Sequence, residues 1–436
     1  MPREEMIVAC CTDLAGKVRG KAFPVDQFDK RQRRGIGWTP TNALITCFDT
    51  IAESPFGALG DLVLIPDPAT RTRVVLDDAA TAENFALGDI CHTDGRPWEL
   101  CTRSILRAAL DRLDRVSGLT LKGAFEHEFQ LLGLPAVPGD AYSLAGFRAE
   151  RALAETLTGA MRSAGIAPDT FMKEYGPGQY EVTMGPALGT AIADQATILK
   201  ELVRASARAT GHTATFTPIR DPESVGNGVH IHLSFLSGGR PATWDAGGRY
   251  ELSRKAGQFI AGVLKYIDSI LALTAPSVIS YLRLTPHRWS AAFNNLGLQD
   301  REAAVRLCPV NDLSDIDRAA QFNFEIRAAD AAASPHLQLA ALVNAGCQGI
   351  EDGLDLPAAT AEDLSLLDPA SLAARGLVRL PRSLPEALDR FASNPTVTGW
   401  FPQGFADVYT SHKRGEIAAL DGMSETEVCA LYERVY

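Results

Sequence analysis

The chain has 436 residues, 46% of them hydrophobic and 22% charged, which describes a globular protein long enough for two cores. A formal net charge of −11, from 42 basic against 53 acidic residues, argues against nucleic acid or an anionic membrane as the main partner. No run of about 18 apolar residues stands out as a membrane span, and "MPREEMIVACC" lacks the pattern of a signal peptide, so the expectation is a cytoplasmic protein.

The first 95 or so residues predict short strands. "MIVACCTDLAGKVRGKAFP" is a strand, a turn at Gly16 and a second strand; "NALITCF" and "DLVLIPDP" predict two more, the latter closed by Pro66 and Pro68. Turn residues in "DGRPWE" then precede the helical spacing of "LCTRSILRAALDRLDRV", which puts a domain boundary near residue 98. Beyond it, "LTLKGAFEHEFQLLG", "GQYEVTMGP", "HTATFTPI", "NGVHIHLSFL" and "FNFEIRAAD" predict strands. Between them lie helices in "RAERALAETLTGAMRSAG", "ALGTAIADQATILKELVRASARATG", "AGQFIAGVLKYIDSILALTAPS" and "SPHLQLAALVNAGCQGIEDGL". The last 75 residues alternate helical patterns with proline breaks. The fold class is α+β, with domains 1–98 and 99–436. Eight cysteines, none in a Cys-x-x-Cys pair, fit reduced and mostly buried thiols.

Five acidic residues stand out on these strands. Alternation along "FEHEF" places Glu126 and Glu128 on one face, opposite Phe125, His127 and Phe129. Glu174 and Glu181 flank a Gly-Pro-Gly turn that can return both carboxylates toward one point. In "GNGVHIHLSF", His230 and His232 alternate beside Gly226 and Gly228, where backbone can approach a ligand. "FNFEIRAAD" puts Glu325 and Arg327 on one strand face, and Arg301 and Arg306 stand five apart in "DREAAVR". Taken singly, each has an ordinary structural explanation: a solvated edge, a core histidine, an ion pair. Together, hard oxygen ligands with one imidazole suit Mg²⁺ or Mn²⁺ better than zinc, and arginines beside such ions suit a transferring phosphoryl group. No Gly-x-x-x-x-Gly-Lys-Ser/Thr loop is present, so a nucleotide would not be held in P-loop fashion.

The order of these motifs resembles the glutamine synthetase family: Glu-x-Glu, Glu-x6-Glu around "GQYE", Gly-x-Gly-x-His-x-His-x-Ser, two arginines five apart, and Glu-x-Arg-x-x-Asp. The resemblance spans nearly the whole chain, from "DLVLIPDPATRTRV" to the closing "SETEVCALYERVY". It implies a small β-grasp-like amino domain and a larger domain with a curved antiparallel sheet flanked by helices. It also implies ATP-dependent amide formation, in which a glutamate γ-carboxylate is phosphorylated and a nitrogen nucleophile displaces phosphate. Carried over, Glu128, Glu174 and Glu181 would bind one divalent ion, and Glu126, His230 and Glu325 the second. His232, Ser234 and Arg306 would line the nucleotide side. Gly226, Arg283, Arg301 and Arg327 would hold the acceptor, with Arg283 on its α-carboxylate. The residues expected at the chemistry are Arg283, Arg306, Glu174, Trp289 and, as the nearest acidic residue near the amino end, Asp49. The implied partners are small molecules and further copies of the chain in stacked hexameric rings with sites between subunits. No adenylylation-site tyrosine motif is evident.

The departures concern the nucleophile. Counted from Arg283 in "SYLRLTPHRWSAAFNN", the place of the family's flap glutamate is taken by Trp289; Val225 and Asn323 also replace the usual residues. An indole in place of a carboxylate removes charge and adds a flat apolar surface, which suits an alkyl or aryl group or a cation–π contact. The expectation is therefore a γ-glutamyl amide ligase that uses an organic amine. A plain glutamine synthetase using ammonia, a family member without catalysis and a two-metal hydrolase are the competing readings.

Overall fold

The computed structural model describes residues 3–76, 82–311, 313 and 317–436; parts of the expected amino domain, residues 1–2 and 77–81, lie outside them. Strands β1 (Met6–Thr12), β2 (Val18–Pro24), β3 (Ile36–Trp38), β4 (Leu62–Pro66), β5 (Thr72–Val75) and β6 (Ala82–His92) form the first sheet. Its order is β2-β1-β6-β4-β3, with β5 beside β6; β1 and β6 run parallel and the other pairs antiparallel. The β1–β2 turn is fixed by Asp13, whose Oδ1 accepts from the amides of Ala15 (2.9 Å) and Lys17 (2.8 Å), with Gly16 at φ +74°.

One expected strand is absent. The start of "NALITCF" lies in a short helix, Pro40–Leu44, followed by a single bridge from Ile45 to Ile51. Proline at the first helical position has its φ preset and needs no amide partner there, so it starts a helical turn before the β-rich residues can pair.

The second sheet carries β7 (Thr120–Leu131), β8 (Pro168–Lys173), β9 (Gln179–Met184), β10 (Ala187–Leu188), β11 (Ala214–Thr215), β12 (Val229–Ser237), β13 (Arg240–Pro241), β14 (Leu296–Gly297), β15 (Val305–Leu307), β16 (Phe324–Ile326) and β17 (Ala359–Thr360). The path is β17-β14-β15-β16-β12-β7-β9-β8, antiparallel except where β14 meets β15 and β17. "HTATFTPI" contributes only the two residues of β11, because Pro218 removes a ladder donor and the chain turns away.

Helices cover one face of this sheet. On β7, Phe125, His127 and Phe129 are buried toward them. The helices Arg254–Thr274 and Pro335–Glu351 pack against each other so closely that a Cβ on Gly262 would lie 2.2 Å from the Ala345 carbonyl. Arg254–Thr274 is long and apolar enough to cross a membrane, yet 83% of its most apolar window is buried within the protein. The other face of the sheet is left concave and polar.

Candidate active site

Register assembles the polar face. Residues directly opposite on neighbouring strands point to the same side. Glu181 of β9 pairs with Glu128 of β7, His230 of β12 with Glu126 of β7, and His232 of β12 with Glu325 of β16, which in turn faces Arg306 of β15. Five strands thereby deliver four carboxylates, two imidazoles and a guanidinium to one surface. Glu174 reaches it from the end of β8.

Two clusters of donor atoms result, each within a 4.8 Å span: Glu126, Glu181 and His230, and His232, Cys308 and Glu325. Glu126 is central. Its Oε1 lies 3.1 Å from His230 Nδ1 and its Oε2 lies 3.0 Å from His232 Nε2. Burial opposes ionisation of Glu126, but the hydrogen bonds from His230 and His232 outweigh it and hold the carboxyl well below its usual range. Glu181 goes the other way: burial, then the neighbouring Glu126, Glu128 and Glu174, push it far up. Glu174 is raised by burial and by Glu128. Among the described residues no lysine or arginine forms a salt bridge with Glu126, Glu128, Glu174 or Glu181; the partners of Glu126 are His230 and His232. Carboxylates this close need protons or cations between them. Oxygen donors with one imidazole, short of positive charge, therefore fit hard divalent ions such as Mg²⁺ or Mn²⁺.

Glu325 is treated differently. Its Oε1 accepts from Arg306 Nη1 (3.1 Å) and Arg327 Nη1 (2.8 Å), while Oε2 lies 3.4 Å from His232 Nε2. The two arginines fix one oxygen and leave the other turned toward the cleft; burial pushes the carboxyl up, but the charge of Arg327, then of His230 and His232, and the Arg306 hydrogen bond hold it below its usual range.

The cleft has two sides. On one, a cavity of about 280 Å³ is lined by Glu126, His232, Ser234 and Asn323 among others. On the other, a cavity of about 310 Å³ is lined by Glu128, Glu174, Gly226, His230 and Arg283, with Tyr175, Val225 and Trp289. Arg283 is 3% exposed; its Nη1 donates to Ser290 Oγ (3.1 Å), its Nη2 to the Ala329 carbonyl (2.5 Å), and its Nε has no partner within the chain. Its stem runs across Gly226, where a Cβ would sit 2.5 Å from Arg283 Cδ, so glycine is required there for room.

Over the second cavity lies residues 286–289. His287 and Trp289 adopt left-handed backbone, φ +64° and +52°, and Trp289 is 62% exposed. Both of their amides donate to the Glu302 carboxylate, at 3.1 and 3.0 Å. Arg288 Nη1 donates to the Ser224 carbonyl (3.0 Å) and Arg327 Nη2 to the Trp289 carbonyl (3.3 Å). The indole stands 6.5 Å from the Tyr175 ring, tilted by 50°.

Two expected residues stand apart. Arg301 is exposed, and its contribution is a backbone carbonyl that accepts from Arg327 Nε (2.8 Å). Asp49 lies on the amino domain with its side chain 87% exposed and Arg19 Nη1 3.6 Å away. Within one chain neither meets the carboxylate cluster.

Several site residues carry no marked signal in the sequence. Gln179 Nε2 donates to Glu128 Oε2 (3.2 Å), the Gly226 carbonyl (2.9 Å) and Asn227 Oδ1 (3.0 Å), tying three elements together. Tyr142 donates its hydroxyl to Glu174 Oε2 (2.9 Å). Gln179 is marked only by its place in "GQYE", and Tyr142 and Glu302 lie in loops without periodicity.

Comparisons with known proteins agree across the chain. Residues 99–430 match the glutamine synthetase catalytic domain, and residues 3–98 match the glutamine synthetase N-terminal domain. The gamma-glutamylpolyamine synthetase GlnA3 of Streptomyces coelicolor is 32% identical over 99% of this chain and 93% of its own length. Type-1 glutamine synthetase 1 of Dictyostelium discoideum is 30% identical over 85% of this chain and 78% of its own. A crystal structure of a novel glutamine synthase homolog, 40% identical, superposes with a TM-score of 0.92 over 100% of this chain and 99% of that one. GmaS in complex with ADP, 25% identical, gives 0.82 over 97% and 96%.

Proposed function

The chain belongs to the glutamine synthetase family, and from that premise we propose that it condenses glutamate, or a close analogue, with an organic amine, giving a γ-glutamyl amide, ADP and phosphate. It is an ATP-dependent carbon–nitrogen ligase with domains 1–98 and 99–436. In this reading a γ-carboxylate oxygen bonds to the terminal phosphorus of ATP as the bond to ADP breaks. The amine nitrogen then attacks the acyl carbon and phosphate leaves, because phosphorylation has turned a poor electrophile into a good one.

Arg283 holds the acceptor's α-carboxylate; it is buried at the cavity floor with Nε free of partners within the chain. Arg306 and Arg327 face the phosphoryl oxygens, and His232 and Ser234 the nucleotide. Mg²⁺ or Mn²⁺ held by Glu128, Glu174 and Glu181, and by Glu126, His230 and Glu325, would supply charge neutralisation. Glu174, at the edge of the amine cavity, is placed to accept the proton that the amine sheds through whichever carboxylate oxygen does not face the ion. Asp49 is exposed on the amino domain, which suits a role across an interface in a ring-shaped homo-oligomer.

The observation that carries the reading is the wall of the amine cavity: Trp289, Tyr175 and Val225 beside Glu128 and Glu174. Two aromatic faces and an aliphatic side chain next to carboxylates match an alkylammonium, with its charge at one end and carbon at the other. The name of the Streptomyces coelicolor relative points the same way. Phosphate release with glutamate fixed, across ammonia, alkylamines, polyamines, ethanolamine and anilines, tests it. An organic amine is expected to exceed ammonia in kcat/KM, with the γ-glutamyl amide identified by mass; glutamine as the dominant product would overturn it.

A further inference from the structure

The flap brings one more charge to the amine cavity, and the reaction as described leaves it without a task. Arg288 stands in the cavity wall between His287 and Trp289. The left-handed backbone of its two neighbours turns both their amides to Glu302, while the Arg288 side chain donates through Nη1 to the Ser224 carbonyl (3.0 Å). That acceptor is itself fixed. The Ser224 amide and Oγ both bond the Asp221 carbonyl at 3.0 Å, and Asp221 Oδ1 accepts from the Glu223 amide (2.8 Å). The guanidinium is therefore anchored by a single donor, and the rest of its fork is open. Among the described residues it forms no salt bridge and no second hydrogen bond.

The other arginines of the cleft are accounted for. Arg306 and Arg327 close on Glu325 at 3.1 and 2.8 Å, and Arg283 is buried at the cavity floor. Arg288 alone is half-buried, unpaired and part of the amine cavity's wall. Partial burial strips water from its charge, and a planar fork of N–H donors matches a carboxylate through two parallel hydrogen bonds. The same wall carries Glu128 and Glu174, and no salt bridge joins them to Arg288. The cavity thus holds opposite charges that do not neutralise each other, with Trp289, Tyr175 and Val225 as its apolar surface.

A ligand that matches all three features has a nitrogen, a carbon stretch and an anion. A plain alkylamine would leave the guanidinium unpaired. A diamine would set its second ammonium against a like charge, a repulsion that a partly desolvated cavity strengthens. Building on the ligase reading above, we infer that the amine substrate is an amino carboxylate and that Arg288 determines specificity by binding its carboxylate.

The test is competition in one reaction, with glutamate and ATP fixed, ammonia included and products resolved by mass. Two matched sets probe the cavity. One is pentylamine, 5-aminopentanoate and 1,5-diaminopentane; the other is benzylamine, 4-(aminomethyl)benzoate and 1,4-bis(aminomethyl)benzene. In the set that reacts faster, the amino carboxylate should exceed the plain amine in kcat/KM by about tenfold, the scale of a hydrogen bond between charged groups, and the diamine should come last. Arg288→Gln should lower that ratio by about tenfold, and Arg288→Lys should keep part of it, because the charge stays while the fork is lost. A plain amine or diamine ahead of the amino carboxylate in the wild type overturns the inference and leaves the ligase reading standing. Glutamine as the dominant product, or no amide at all, overturns both. A ratio unchanged in Arg288→Gln also overturns it, and a raised KM for glutamate in that variant would then assign the guanidinium to the acceptor.

Discussion

The strands beneath the cleft and the flap above it hold their residues by opposite means. Glu126 and Glu128 on β7 alternate with fully packed side chains: Phe125 is 1% exposed, His127 1% and Phe129 0%. Moving Glu126 or Glu128 would mean repacking the core behind them. The flap has no such backing. His287 and Trp289 sit in left-handed backbone, which costs roughly 1–2 kcal/mol per residue. Two amide bonds to the Glu302 carboxylate, each worth about 1.5–3 kcal/mol as bonds to a charged group, offset that strain. Under the proposed function this is a division of labour: the candidate metal-binding carboxylates lie on packed strands, and the proposed selection of the nucleophile lies on a segment held by a few hydrogen bonds.

If that division holds, the largest effects belong to the strands. Glu181→Gln should lower kcat by about 10²-fold or more, the scale of losing one preorganised charge at a phosphoryl-transfer site. It should do so for every amine alike. Divalent-ion binding gives an independent check. Burial and three neighbouring carboxylates keep Glu181 protonated in the metal-free cleft. An incoming cation must displace that proton, so Mn²⁺ affinity should rise with pH and about one proton should be released near neutrality. Calorimetry in two buffers of different ionisation enthalpy measures it. Proton release unchanged in Glu181→Gln would show that the proton sits elsewhere.

The flap should respond in kind rather than in degree. Trp289→Glu restores a carboxylate at the cavity mouth and removes the indole beside Tyr175. A cation–π or flat apolar contact is worth about 0.5–2 kcal/mol. The ratio of kcat/KM for the organic amine over ammonia should therefore fall by about 2- to 30-fold. Competition between the two nucleophiles in one reaction, with products resolved by mass, reads that ratio directly. An unchanged ratio would move selection away from the flap.

The same contrast explains what the sequence made legible. Strand alternation is a period-two code, so "FEHEF" and "HIHLS" announced which carboxylates and imidazoles share a face, and the structure pairs them across β7, β9, β12 and β16 as that code implies. Register between distant strands is not in any one segment. That Glu181 presses on Glu126 and His230, while Glu325 is gripped by Arg306 and Arg327, emerges only once the sheet is assembled. At "NALITCF" a preset proline just upstream, Pro40, outweighed β propensity, a local effect that the apolar pattern hid. The flap was legible only as a substitution, Trp289 in a carboxylate's place. Its strain and its latch were not, because positive φ at histidine and tryptophan has no composition signature and Glu302 lies thirteen residues beyond Trp289.

That latch offers the finest test of the comparison. Glu302→Gln keeps the size and one acceptor oxygen but removes the charge that draws both flap amides. One flap amide then faces an NH2 group and loses its acceptor, a loss of about 1.5–3 kcal/mol that should loosen the flap without unfolding anything beneath it. KM for the amine should rise by about tenfold or more while kcat and Mn²⁺ affinity stay near wild type, because Glu302 bonds the flap amides and not the carboxylates on β7 and β9. Trp289 fluorescence should report greater exposure in the variant and a smaller change on adding amine. A fall in kcat with KM unchanged would mean that Glu302 acts on the reacting groups, and the flap would then belong with the strands rather than opposite them.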